Sequence, residues 1–261
     1  MLVATSRASV PRSYRANLRA LARAQKPARG TAAYSRYLNR PLARRVAALA
    51  HTAAITPNTV TVASAAFSAA GLLVLCLARP AWWVGLTVAV LLALGFVLDS
   101  VDGQLARLGA GGTAAGEWLD HNVDCVKTTA LHLAVLVSFY RFPPVDSDLV
   151  LLLPLAFQVI DLVVFFGFVM MPLIRRVHGT PAPAAATAAE RSEPSWRPWV
   201  ILPTDYGTFC WMFVLLGWPA AFLAGYAAMF AVNAAVLPLV LRKWWRELRA
   251  IDRAAVDRVE A

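Results

Sequence analysis

The chain has 261 residues, 59% of them hydrophobic and only 15% charged, with a mean hydropathy of +0.58. An ordinary soluble domain is about 45–50% apolar and about 25% charged. Composition therefore excludes a soluble enzyme, a disordered tail or a fibrous chain and leaves an all-α integral membrane protein. The net charge of +10 points to Lys and Arg in loops facing anionic membrane lipid, and no nucleic-acid partner is expected. Cys76, Cys125 and Cys210 each lie in an apolar run, which predicts small buried hydrophobes rather than a disulfide or zinc framework.

Residues 1–38 are a basic segment without a single acid, carrying Arg7, Arg12, Arg15, Arg19, Arg23, Lys26, Arg29 and Arg36. No apolar run follows closely enough for a secretory signal. A mitochondrial transit peptide has such a start too, but the Ala/Arg-heavy style of the whole chain favours a bacterial inner membrane. Residues 40–54 alternate Arg44 and Arg45 with Leu42, Val46, Leu49 and Ala50, the pattern of an amphipathic helix lying along the interface.

Apolar segments follow at about 58–78, 81–106, 116–140 and 148–174, then two within 204–242 divided near Gly217-Trp218-Pro219. A spanning helix needs about 20 apolar residues, so residues 39–242 are expected to form six transmembrane helices, the fifth of them short and tilted or partly embedded. A Pro/Ala linker occupies 176–199, and 243–261 is a charged helical tail leaving the membrane. Of 25 Lys and Arg, 11 fall in residues 1–56, four in 175–197 and six from Arg242 onward. That bias puts both termini in the cytoplasm, together with the connection between the second and third spans.

The informative stretch straddles that connection: Asp99, Asp102, Gly103, Ala106 and Arg107, then Gly116, Asp120 and Asp124. Asp99 and Asp102 are three apart and Asp120 and Asp124 four apart, so each pair shares one helix face. The loop between them is short and Gly-rich, which makes the helices antiparallel neighbours with facing carboxylates. One Asp at membrane depth costs about 2.5–3.5 kcal/mol, and four cost on the order of 10 kcal/mol without compensation. Two Mg²⁺ or Mn²⁺ ions would compensate them and hold a diphosphate. Gly103, Ala106 and Gly116 keep the helix faces small, and Arg107 is suited to phosphate.

The pattern D-x₂-D-G-x₂-A-R-x₈-G-x₃-D-x₃-D resembles the signature of the CDP-alcohol phosphatidyltransferase family (class I). Thr56-Pro57-Asn58-x-x-Thr61 also resembles a feature of that family. The resemblance implies six spans behind an amphipathic N-terminal helix, a cytoplasm-facing site and often a homodimer. It implies that an acceptor hydroxyl attacks the β-phosphorus of a CDP-linked donor and CMP leaves. Carried onto this chain, Asp99, Asp102, Asp120 and Asp124 bind the metals, and Asp124 is also the catalytic base. Gly103, Ala106, Arg107 and Gly116 shape the CDP site. The expected partners are a CDP-linked lipid donor such as CDP-diacylglycerol, a small alcohol or phospho-alcohol acceptor and membrane lipid.

Other polar residues lie near membrane depth. Lys127 is expected to pair with Asp124 or to bind an acceptor phosphate, and Arg175 and Arg176 to anchor a helix end or bind an anionic acceptor. Asp161 and Asp205 are acceptor-site candidates if they face the central cavity. His121 and His132 are expected to be structural, and Glu117 fits either role. Two other classes fit an acidic membrane helix pair: a prenyltransferase holding a prenyl diphosphate through Mg²⁺, and a cation transporter. The Gly103, Ala106, Arg107 and Gly116 positions argue against the first. The clustering of acids at the ends of two adjacent segments argues against the second.

Overall fold

The computed structural model describes residues 13–25, 30–109, 112–178 and 194–260. Arg7, Arg12, Lys26, Arg29 and most of the Pro/Ala linker lie outside the described residues. The described chain is all helical, with no strand. In order come α1 (Tyr14–Arg23), a π-helical turn (Ser35–Asn39) running into α2 (Arg40–Thr52), then α3 (Pro57–Leu77), α4 (Trp82–Leu108) and α5 (Ala114–Arg141). A 3-10 turn (Asp148–Leu151) leads into α6 (Leu152–Val177), followed by α7 (Arg197–Val200), α8 (Tyr206–Met212) and α9 (Pro219–Glu260).

Five helices are long and apolar enough to cross a membrane: α3, α4, α5, α6 with its leading turn, and α9. The sixth expected span is not a full-length helix. α8 has seven residues, and the 3-10 turn Phe213–Gly217 that continues it has five. Pro198 and Pro203 interrupt the approach to α8, because proline removes a helical donor and clashes with the preceding turn. Gly217-Trp218-Pro219 ends the segment. The charged tail is not a separate element, since α9 runs unbroken from Pro219 to Glu260.

Local chemistry sets the helix starts. The Thr56 hydroxyl accepts from the Thr59 amide and Pro57 opens α3, a favoured pair at a helix N-terminus. Thr113 does the same for α5 by accepting from the Gly116 amide at 3.0 Å. Asp205 caps α8, its Oδ1 accepting from the Gly207 amide at 2.8 Å.

α3 and α4 lie close along their length. The Ser64 hydroxyl donates to the Gly95 carbonyl at 2.7 Å, and a Cβ at Gly95 would collide with the Ser68 side chain. Small residues at such a crossing let backbones approach in a bilayer, where no hydrophobic force drives helices together. A main apolar core joins α3, α4, α5, α6, α8 and α9 through Leu75, Val88, Leu92, Val135, Phe157, Phe213 and Tyr226.

A second cluster packs α1 and α2 across the end of α4, with Leu21, Ala43, Ala47 and Ala50 against Val97, Val101 and Leu105. In α2 the alanines face inward, while Leu42 and Leu49 are exposed. Buried polar links fix this layer. Asn17 Nδ2 donates to the Ala48 carbonyl, Asn39 Nδ2 to Ser100 Oγ at 2.7 Å, and Gln104 Nε2 to the Arg40 carbonyl. Of the cysteines only Cys210 is fully buried; Cys125 is exposed, contrary to its apolar surroundings in sequence.

Candidate active site

The antiparallel pair α4 and α5 brings three of the four acids together. Asp99, Asp120 and Asp124 each offer a carboxylate oxygen, and these oxygens lie within 4.8 Å of one another. Such a set is all oxygen and all anionic, which suits a hard divalent cation. The Lys127 ammonium sits in their midst, donating to Asp99 Oδ1 and, at 3.2 Å, to Asp124 Oδ1. It supplies positive charge to two of the three carboxylates.

Asp102 is not in this group. It is 4% exposed, and its Oδ2 accepts the Thr61 hydroxyl of α3 at 2.7 Å. The bond ties the site to the first turns of α3, where the Thr56-Pro57-Asn58-x-x-Thr61 stretch lies.

The small residues beside the acids have different surroundings. A Cβ at Gly103 would meet only the Arg107 guanidinium, at 3.7 Å, so the surface over Gly103 is open. At Gly116 a Cβ would press to 3.1 Å on Asn58 Oδ1 and on Thr113 Oγ1, so this glycine lets α5 start against α3. Arg107 Nε is buried without a hydrogen-bond partner. A stranded buried donor of this kind is costly unless an anion takes it up.

Several other polar residues are engaged elsewhere. Arg175 makes a bidentate pair with Glu247 of α9, at 2.6 and 3.0 Å. Arg176 does the same with Glu117, joining α6 to α5. Asp205 spends its second oxygen on the Ser35 amide at 3.0 Å, which latches the N-terminal layer to α8. Tyr34 supports that latch by accepting from Trp211 Nε1 at 3.0 Å. Burial raises the Tyr34 phenol above its ordinary pKa.

His132 is completely buried and bridges two helices, with Nδ1 2.6 Å from the Tyr226 hydroxyl and Nε2 2.9 Å from Asp161 Oδ2. Sequence reading singled out His132 and Asp161 separately but not Tyr226. A tyrosine within an apolar span was the available signal, because a buried phenol needs a partner.

Two cavities flank the acids. An apolar groove of about 620 Å³ runs between α3 and α5, from Leu73, Cys76 and Val137 to Ser68 and Lys127. A smaller pocket of about 190 Å³ holds Asp99, Asp124 and Lys127 and shares Ser68 with the groove.

An all-helical bundle with five apolar spans, an oxygen-only acidic cluster and an arginine with an unpaired buried Nε has the features of a membrane protein suited to phosphate groups. Comparison with known families narrows this. The model of the CDP-alcohol phosphatidyltransferase family matches residues 54–241, and the chain belongs to that family. The match begins after α2 and ends within α9. No curated protein matches the chain.

Proposed function

We propose that this protein transfers a substituted phosphate group from a CDP-linked lipid, CDP-diacylglycerol in the first instance, to an acceptor alcohol and releases CMP, in phospholipid synthesis. The observation that carries this reading is the convergence of Asp99, Asp120 and Asp124 within 4.8 Å in a chain of this family. In this reading they hold Mg²⁺ or Mn²⁺ with Asp102 beside them, and the reaction takes place at the cytoplasmic face of a bacterial inner membrane. Bound divalent cations supply neutralisation of the diphosphate and of the leaving phosphate.

The residues divide the remaining work. The Arg107 guanidinium binds the donor's diphosphate, and the open surface over Gly103 and Ala106, with Gly116 nearby, admits the nucleotide. The groove between α3 and α5 takes an acyl chain and delivers the headgroup to Lys127 and the acids. Asp124 accepts the proton of the acceptor hydroxyl. The acceptor oxygen forms a bond to the β-phosphorus, and the bond from that phosphorus to the bridging oxygen breaks. CMP takes that electron pair.

Purified protein in detergent or liposomes, given CDP-diacylglycerol, Mn²⁺ and a mixture of alcohols, is expected to release CMP, and EDTA to abolish the release. Asp124→Asn is expected to lower kcat by a hundredfold or more, as the loss of a general base does. EDTA-insensitive turnover ends the metal assignment, and an Asp124→Asn variant of wild-type rate ends the base assignment.

A further inference from the structure

Beyond the acids lies a second pocket of about 220 Å³ that shares Thr128, Phe165 and Tyr206 with the smaller pocket beside them. Its walls are aromatic: Phe157, Phe165, Phe168, Tyr206 and Phe209. Its charge is wholly negative, with Asp161 and Asp205 on the lining and no Lys or Arg among the described residues that form it. Asp161 is 30% exposed and also lines the adjoining cavity toward Gly30.

The His132 bridge orients the Asp161 carboxylate. One arrangement satisfies both bonds, with Nε2–H donating to Asp161 and Nδ1 accepting from the Tyr226 hydroxyl. His132 is itself stacked on Phe157, so the carboxylate is held rigidly by α5 and α9. Asp205 lines the same wall, its oxygens taken by backbone amides and Arg40 within electrostatic reach of it, so Asp161 is the carboxylate left to meet a ligand. Arg175 and Arg176, the arginines nearest in sequence to this part of α6, are committed to Glu247 and Glu117.

An anionic wall lined with aromatic rings attracts a cation by both charge and ring quadrupole, and it repels a phosphate. We infer that this pocket binds the ammonium group of an amino alcohol, with Asp161 as the recognising carboxylate, and that a phosphorylated alcohol is excluded from it. The inference rests on the transferase reading above. Its one open choice is whether the amino alcohol arrives free, as acceptor, or already joined to CDP, as donor to a lipid hydroxyl.

The test runs four arms on the full-length protein with Mn²⁺ and follows CMP. Three arms use CDP-diacylglycerol with choline or ethanolamine, with glycerol or inositol, and with glycerol 3-phosphate. The fourth uses CDP-choline with diacylglycerol. The amino-alcohol arm, or the CDP-choline arm, is expected to exceed the neutral and phosphorylated arms at least tenfold in kcat/KM. Asp161→Asn keeps an oxygen acceptor for His132, and it is expected to raise the amino alcohol's KM tenfold or more at nearly constant kcat. In metal-free protein, choline is expected to raise the Tm saturably in the wild type and not in Asp161→Asn, whereas glycerol 3-phosphate leaves both unmoved.

Preferred turnover of glycerol 3-phosphate or of a neutral polyol overturns the inference and leaves the transferase reading standing. CMP release in no arm overturns the transferase reading and the inference built on it. An Asp161→Asn variant with unaltered KM and choline stabilisation removes Asp161 from recognition.

Discussion

Thr61 gives a measure of how much one hydroxyl does at this site. Asp102 is almost wholly buried, and the 2.7 Å bond from Thr61 joins the Gly103 backbone amide and the nearby Arg107 charge in compensating it. Thr61→Val keeps the shape and removes the donor. A buried group stripped of its partner costs about 1–3 kcal/mol, so the variant is expected to unfold at lower temperature by that measure and to lose activity with it. Thermal denaturation in detergent beside the CMP assay checks both, and an unchanged Tm would show Asp102 compensated by other means. The need for a partner was legible in sequence for the acids as a group, because a carboxylate at membrane depth is too costly to be incidental. One partner, Lys127 for Asp124, was legible from their three-residue spacing; those supplied by other helices were not. Asp102 turns to Thr61 and Asp161 to His132 through contacts between helices, which no spacing within one helix encodes.

Helix packing separates two kinds of glycine that look alike in the sequence. Gly95 is a packing glycine, since any side chain there meets Ser68 and the α3 backbone. Gly103 opens onto space beside Arg107. Gly95→Ala is therefore expected to cost about 1–3 kcal/mol of stability, the usual effect of overpacking. Gly103→Leu is expected to leave the stability within about 0.5 kcal/mol of wild type, as at sites without close contacts, while raising the donor's KM tenfold or more. Melting curves and donor titrations on the two variants decide it; the reverse pattern would remove Gly103 from the nucleotide surface. The long helices were legible because 20 or more apolar residues leave little alternative. The shortness of the segment before α9 was legible as well, but its irregular approach was not: Pro198, Pro203 and the Asp205 cap break the helix upstream of α8. α1 was hidden for a related reason: its Arg-rich sequence conceals Asn17 and Leu21, which are buried against α2 and α4.

At the scale of the molecule, the five full-length spans and one interrupted segment among the described residues leave the side of each terminus to a direct measurement. If the interrupted segment traverses the bilayer, both ends emerge on the same face, and the excess of Lys and Arg near them makes that face the cytoplasm. Cysteines placed singly at Arg23 and Arg253, in a background freed of the native three, are expected to react with an impermeant maleimide in inverted vesicles only. Labelling of one site from each side would reduce the crossings to five. The interrupted segment also has a consequence for traffic. Hydrocarbon cannot pair the peptide groups of an irregular stretch, and here the protein does so: the Thr204 and Asp205 amides donate to the Ile201 and Leu202 carbonyls, and the Pro203 carbonyl accepts from Asn233 Nδ2. Pro203, Thr204 and Asp205 also border the aromatic pocket. The break thus gives that pocket a wall carrying a hydroxyl and a carboxylate, which an unbroken oily rod would not offer a hydrophilic reactant.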